Sequence, residues 1–104
     1  MYQTLKMIQK TEILNKLRTS KSDLNKFGVI SIGLFGSVLR DETNNNSDVD
    51  ILIDFNNDLE TFENYINTCT YLENIFRGYK LDIVTEKGLS PFIGPYILKE
   101  VVYA

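Results

Sequence analysis

Three apolar segments have the length and composition of β-strands. Residues 29–35, 48–55 and 80–85 are rich in Val, Ile, Leu and Phe, and Gly, Asn or Ser residues flank them. In the second segment, residues two apart share one face of the strand and lie ~6.6 Å apart along it. The pattern therefore places Asp48 and Asp50 on one face. The opposite face carries Val49, Ile51, Ile53 and Phe55.

Helical spacing of apolar residues separates these strands. A stripe with a period near 3.6 predicts an N-terminal helix, and Lys21-Ser22-Asp23 predicts the start of a second short helix that carries Leu24 and Phe27 and ends at Gly28. The residues of the first stripe are Leu5, Ile8, Ile13, Leu14 and Leu17.

A further helix is predicted after the second strand, with Gly78 as its cap. Ser90-Pro91 then predicts the N-cap and first turn of a last helix that contains Ile97, Val101 and Val102. The apolar stripe of the helix before Gly78 is Phe62, Tyr65, Ile66, Cys69, Leu72 and Phe76. We interpret its aromatic side chains (Phe62, Tyr65, Tyr71 and Phe76) and Cys69 as core residues rather than as a base-stacking platform.

This alternation of helices and strands predicts an α/β (α+β) fold with a small mixed β-sheet flanked by helices. A chain of 104 residues suits one domain over residues 1–104. Within it, we expect residues 1–28 to form an N-terminal helical segment and residues 29–104 to form the core that would carry a catalytic site. The length leaves little room for a separate substrate domain, so another molecule would have to hold any acceptor substrate.

Composition narrows the chemistry. The chain contains no histidine and one cysteine, Cys69, so any metal ligands should be oxygen atoms, which favours Mg²⁺ or Mn²⁺. The net charge of −3 offers no broad basic surface, which makes nucleic-acid substrates unlikely. No segment reaches the ~18 apolar residues of a membrane span, and no signal-peptide core begins the chain. These features predict a cytoplasmic protein.

Candidate chemistry is concentrated between the first two strands. Gly36-Ser37 ends the first strand, and ten residues separate Ser37 from Asp48-Val49-Asp50. Glycine lets the backbone approach a phosphate, and Ser37 can donate its hydroxyl and backbone N–H to an anion. Two carboxylates at the start of a strand can bind hard cations. The spacing favours a site for a metal-bound triphosphate.

The run GLFGSVLRDETNNNSDVDILIDF resembles the signature of the DNA polymerase β-like nucleotidyltransferase superfamily. The resemblance extends through Ser37, Arg40, Ser47, Asp48 and Asp50 to LDIVT and the tail SPFIGPYILKEVVYA. The short length is similar to minimal nucleotidyltransferases that are often paired with HEPN-domain proteins. The resemblance implies the nucleotidyltransferase fold, ATP as substrate and two Mg²⁺ ions about 3.5–4 Å apart.

The resemblance also implies roles for individual residues. Asp48, Asp50 and Asp82 would bind the metal ions, and Asp82 would help to accept the proton of the attacking hydroxyl. Gly36 and Ser37 would grip the outer phosphates. Two further roles stay open: Arg40 pairs with phosphate or braces the aspartates, and Ser47 binds phosphate or caps a turn.

Simpler interpretations exist for the same residues. Asp48 and Asp50 could be solvated acids at a strand start, Asp82 an exposed acid on an edge strand, and Gly36-Ser37 an ordinary turn with a capping serine. Two further predictions concern residues to which the resemblance gives no role. Asp54 shares the face of Asp50 but is too distant for the same metals, which predicts a rim or partner contact. Asn44-Asn45-Asn46 is predicted to be a loop tip.

The leading hypothesis is an Mg²⁺-dependent nucleotidyltransferase that moves AMP from ATP to a hydroxyl, most simply a tyrosine, of a HEPN-type toxin, and so acts as its antitoxin. One alternative is an inactive antitoxin that neutralises its partner by binding. Another is a homodimer that modifies a small molecule of the aminoglycoside type. The apolar tail Val101-Val102-Tyr103 fits either an interface or a helix packed on its own sheet.

Overall fold

The computed structural model describes residues 9–42 and 47–104. Helices and strands alternate along these residues, and two single 3₁₀ turns, Asn57–Leu59 and Glu86–Gly88, lie between them. The elements in order are α1 (Lys10–Asn25), β1 (Val29–Phe35), α2 (Gly36–Leu39), β2 (Val49–Phe55), α3 (Phe62–Ile75), β3 (Leu81–Thr85), α4 (Gly94–Glu100) and β4 (Val102–Tyr103). The predicted positions Leu5, Ile8 and Asn44-Asn45-Asn46 lie outside the described residues.

The four strands form one mixed sheet in the order β3-β2-β1-β4. β1 pairs antiparallel with both β2 and β4, whereas β2 pairs parallel with β3. This architecture confirms the α/β fold with a small mixed sheet. β1 begins and ends where the sequence predicts, and β2 and β3 each begin one residue later than predicted.

The main core lies between one sheet face and the helices α1 and α3. The β2 side chains at alternate positions are buried there, and each helix contributes apolar residues to the same cluster. The buried set includes Ile13, Leu17, Leu24, Val49, Ile51, Ile53, Phe55, Leu72 and Phe76. Tyr65 and Tyr71 pack against this cluster, as predicted. The prediction for Phe62 is wrong: it begins α3 and is 81% exposed. Cys69 is half-buried.

A single helix replaces the two predicted in the N-terminal segment. α1 runs without interruption from Lys10 to Asn25, so the predicted restart at Lys21-Ser22-Asp23 is wrong. The hydroxyl of the buried Ser20 donates to the Leu17 carbonyl, 2.8 Å away, and is therefore satisfied within the helix. Ser and Asp mark helix starts only when they cap free N–H groups, and here the preceding turn already uses those groups.

The C-terminal segment also differs from its prediction. Ser90-Pro91 forms a turn in which the Ser90 hydroxyl accepts the Phe92 N–H at 3.0 Å, and α4 begins only at Gly94 with Pro95 in its first turn. Ile97 lies in α4 as predicted, but Val101 follows the end of that helix and Val102 lies in β4. The tail is a strand rather than a helix because β1 has an open edge that accepts its hydrogen bonds.

The second face of the sheet carries Asp50, Leu52 and Asp54, and Leu52 is fully buried there. The connection from β3 to β4 passes over this face. At its start Lys87 binds the Asp54 carboxylate at 3.0 Å, and at its end Val101 packs against Gly33. Asp54 therefore lies at the rim, apart from Asp50. None of the helices in the described ranges is long and apolar enough to cross a bilayer.

Candidate active site

One end of the sheet gathers the predicted site residues. β1 ends at Phe35 where the antiparallel β2 begins at Val49, and the parallel β3 begins beside β2 at Leu81. This topology brings Gly36, Asp50 and Asp82 together although 46 positions of sequence separate the outer two. The segments that carry them are short and are fixed by strand hydrogen bonds, so the site stands on the rigid part of the fold.

Asp50 and Asp82 are register partners on neighbouring strands, and their carboxyl groups are close enough to share a hydrogen bond when one of them carries a proton. Burial raises the pKa of Asp50 to about 6, and the charges of Asp82 and Asp48 and the hydrogen bond with Asp82 act in the same direction. The Arg40 charge opposes this shift more weakly. The two carboxyl groups therefore lie where a second negative charge is disfavoured, and a bound cation there would relieve their repulsion.

Gly36 makes the position of Asp50 sterically feasible. Its φ of +80° is a conformation that side chains other than glycine rarely adopt, and a Cβ on it would overlap Asp50 Oδ2 and lie 2.8 Å from Asp50 Cγ. Sequence reasoning assigned Gly36 to phosphate approach alone. Its packing against Asp50 was missed because a contact between residues on different elements has no local pattern.

Ser37 and Ser47 flank the aspartates. Ser37 follows Gly36 in the four-residue α2 and is half-buried, and its carbonyl accepts the Glu42 N–H at 2.9 Å. Ser47 is also half-buried and precedes the exposed Asp48. Both serines therefore border the end of the sheet at which Asp50 lies.

Arg40 caps the C-terminal end of α2 and binds two carboxylates. Its Nε donates to Glu42 at 2.7 Å, and its Nη1 contacts Glu100 at the end of α4. These hydrogen bonds, the one with Glu42 first, raise the pKa of Arg40. The side-chain partners of Arg40 are thus two glutamates rather than the predicted aspartates, and only its charge reaches Asp50. Glu100 was absent from the sequence-based site because it lies 60 residues from Arg40.

The donor chemistry of the site suits a hard cation. Within residues 9–42 and 47–104, no group of three or more Cys, Asp or Glu side chains is closed tightly enough to hold a metal ion. The Asp50–Asp82 pair nevertheless places carboxylate oxygens side by side, and Asp48 is near enough for its charge to affect Asp50. All these ligands are oxygen atoms, as Mg²⁺ prefers. The chemistry of these donors therefore fits Mg²⁺.

Known proteins resemble this chain over most of its length. Residues 14–104 match the family model described as a nucleotidyltransferase domain. The protein adenylyltransferase MntA of Thermococcus cleftensis is 39% identical over 93% of this chain and 97% of its own length. A Methanocaldococcus jannaschii relative, named as a candidate protein adenylyltransferase, is 38% identical over 89% of this chain and 95% of its own.

Solved structures share the fold. A minimal nucleotidyltransferase structure superposes with a TM-score of 0.77 at 27% identity, over 95% of this chain and 98% of the other. A structure of a toxin–antitoxin pair, MntA–HpeT, superposes with a TM-score of 0.63 at 16% identity, over 84% of this chain and 70% of the other. At that identity the second likeness concerns the fold alone.

Proposed function

Because the chain belongs to the nucleotidyltransferase domain family and is therefore a nucleotidyltransferase, we propose that it moves AMP from ATP to a hydroxyl group of a partner protein. Two relatives that match nearly their whole length carry the name protein adenylyltransferase, one of them as a candidate. The observation that carries the proposal is the Asp50–Asp82 carboxyl pair beside Gly36, because it combines metal ligands with backbone that can approach a phosphate.

In the proposed reaction, the acceptor oxygen attacks the α-phosphorus of ATP, the bond from that phosphorus to the bridging oxygen breaks, and pyrophosphate leaves. Asp48, Asp50 and Asp82 would hold Mg²⁺, with Mn²⁺ as a substitute. Bound Mg²⁺ supplies positive charge that activates the hydroxyl and stabilises the leaving group. Gly36 and Ser37 would bind the outer phosphates, with Ser47 at the rim. Asp82, which is exposed, would receive the hydroxyl proton and release it to water.

We propose a toxin of the HEPN class as the partner, and a tyrosine as its acceptor residue. The support is the shared name: MntA is the name of the Thermococcus relative and of one member of the toxin–antitoxin pair with this fold. A tyrosine hydroxyl, with a pKa near ~10, gives up its proton to a carboxylate more readily than an aliphatic hydroxyl does. The modification would silence the toxin, with both proteins in the cytoplasm.

A second candidate function is neutralisation of the toxin by binding alone. One observation favours it: among the described residues, no three Cys, Asp or Glu side chains are grouped so that they could hold a metal ion. Catalysis remains the stronger proposal, because a site freed from catalysis gains nothing from holding Asp50 against Asp82, where burial first and carboxylate repulsion second raise the Asp50 pKa.

The decisive experiment mixes ATP labelled on the α-phosphate with Mg²⁺, this protein and the toxin encoded beside it. The test variant is Asp48→Asn with Asp50→Asn. The matched control is Asp54→Asn. Asp54 lies on the same strand and face as Asp50, but its carboxylate binds Lys87. Label should move to the toxin with the wild type and the control, and not with the double variant. Neutralisation that survives the double variant, with no label transferred, would establish binding alone.

A further inference from the structure

Glu100 and Arg40 connect two parts of the chain that sequence does not connect. Glu100 is the last residue of α4, and Arg40 lies at the end of α2, three residues after Ser37. The Arg40 guanidinium contacts the Glu100 carboxylate through Nη1. The C-terminal connection is thereby tied to the loop that follows the proposed phosphate-binding residues.

The position of Glu100 is unfavourable for its own helix. The C-terminal end of an α-helix carries partial negative charge, so an acid in the last turn is destabilising, and Lys99 is the residue type expected there. Glu100 is nevertheless only 24% exposed and is directed to Arg40. The carboxylate is therefore better explained by its contact with Arg40 than by helix stability.

The two glutamates that bind Arg40, Glu42 and Glu100, differ in the part of the fold to which they attach it. Glu42 lies two residues from Arg40 on the same local segment and is 63% exposed, so its contact does not attach Arg40 to another helix or strand. Glu100 belongs to α4, and the next residue, Val101, packs against Gly33 in the sheet. Glu100 alone of these two can fix the guanidinium relative to the sheet.

We infer that Glu100 is a positioning residue for nucleotide binding, which holds the Arg40 guanidinium beside the triphosphate site. This inference rests on the proposed function and adds to its phosphate ligands Arg40, which lies at the end of α2 three residues after Ser37. A guanidinium whose fork is already oriented loses less conformational freedom when it binds phosphate. Glu100 acts only through Arg40 and touches neither nucleotide nor acceptor.

A purely structural role is the competing explanation, and the magnitudes argue against it. Arg40 is 48% exposed, and ion pairs of partly exposed side chains contribute little to folding because water and salt screen them. A pair that contributes little to stability can still set the direction of a charged donor. Nucleotide affinity is therefore the quantity that separates the two roles.

The test measures binding of an ATP analogue with a methylene bridge between its α- and β-phosphates, in Mg²⁺, by calorimetry. Glu100→Gln should weaken binding roughly tenfold, the size of one oriented charge-assisted contact. Glu42→Gln, which neutralises the other partner of Arg40, should change the affinity less than twofold. Glu100→Asp, which keeps the charge, should recover part of the loss. The midpoint of thermal unfolding is recorded for every variant.

A double-mutant cycle completes the test. In a background of Arg40→Ala, Glu100→Gln should have no further effect on affinity, because its route of action is gone. Additive losses would overturn the inference, as would equal losses for Glu42→Gln and Glu100→Gln. A lowered unfolding midpoint with unchanged affinity would assign Glu100 a structural role instead. Wild-type protein that binds no analogue would refute the proposed function as well, which distinguishes the two failures.

Discussion

The Asp50 carboxylate can occupy its position only because residue 36 is a glycine. The Asp50 carboxylate lies where the Cβ of any other residue at position 36 would stand, and the φ of Gly36 is +80°. Two independent restrictions thus act on one residue, one from backbone conformation and one from space. The restriction on backbone conformation could occur elsewhere in the chain. The steric restriction exists only because β1 and β2 pair in this register.

Replacement of Gly36 by alanine should abolish transfer. The methyl group must displace the Asp50 carboxylate, and a displacement of about 1 Å at a reacting centre costs roughly a hundredfold in rate. Gly78→Ala is the matched control, since Gly78 has a φ of +89° but nothing within 4 Å of its added Cβ. It should lose about 1–2 kcal/mol of stability from backbone strain and keep its transfer rate. Equal rates for both variants would contradict the steric explanation.

The pKa of Asp50 makes a prediction about pH. In metal-free protein, an NMR titration of the Asp50 carboxyl should give a pKa of about 6, above its ordinary 3.8. Removal of the neighbouring charge by Asp82→Asn should lower it. Mg²⁺ should lower it too, because metal and proton compete for the same oxygens. Transfer should therefore decline below about pH 6 and recover partly at higher Mg²⁺ concentration.

The same shift predicts how stability depends on pH. A carboxyl whose folded pKa is raised binds its proton more tightly in the folded state, so it destabilises the metal-free protein above about pH 6 and ceases to do so as the pH falls towards 3.8. Urea unfolding of wild type and Asp50→Asn should thus differ most at neutral pH, with the variant more stable. A difference that does not vary with pH would refute the assignment.

Gly33 should control attachment of β4. A Cβ on Gly33 would lie 2.6 Å from Val101 Cγ2 and 2.9 Å from the Val102 carbonyl oxygen. Gly33→Ala should cost about 1–3 kcal/mol as an overpacked contact. Hydrogen exchange of the Ala104 N–H, which donates to Ile32 at 2.9 Å, should accelerate. Val101→Ala combined with Gly33→Ala should restore part of the protection, since it removes the nearer of the two obstacles.

The hydrogen bond between Tyr71 and Asp23 should make the stability of the protein depend on pH in the acidic range. The Tyr71 hydroxyl donates to Asp23 at 2.7 Å, and this bond is the largest cause of the lowered Asp23 pKa, with Lys26 next. A carboxylate with a lowered folded pKa stabilises the protein above its unfolded pKa, and the contribution disappears as the pH falls through the folded pKa. Tyr71→Phe should therefore destabilise at pH 7 and match wild type more closely in strong acid.

Tyr65→Phe is the control for that comparison. Its hydroxyl lies 3.4 Å from the Ile83 carbonyl oxygen, an acceptor that does not titrate in acid. Any loss of stability from Tyr65→Phe should consequently persist at low pH. If the losses from both tyrosine variants varied alike with pH, the Asp23 bond would not be their cause.

Local sequence patterns predicted the first three strands, the central part of α3 and the residue types of the site. The period-two alternation from Val49 to Phe55 and the β-branched residues of the other predicted strands can be recognised from the local sequence. This is possible because side-chain alternation is a property of the extended chain. The exclusion of histidine and disulfide chemistry likewise needs composition alone. The spacing of Gly36-Ser37 from Asp48 predicted the location of the candidate site, and the family comparisons confirm the class of protein.

Tertiary structure alone decided the rest. The tail residue Val102 became a strand because β1 offered an open edge, and α1 ran through Lys21-Ser22-Asp23 because its buried face continues to Leu24. The pairing of Asp50 with Asp82 and the contact of Arg40 with Glu100 join distant segments. Such contacts depend on which strands become neighbours, and that choice belongs to the packing of the whole chain rather than to any local pattern.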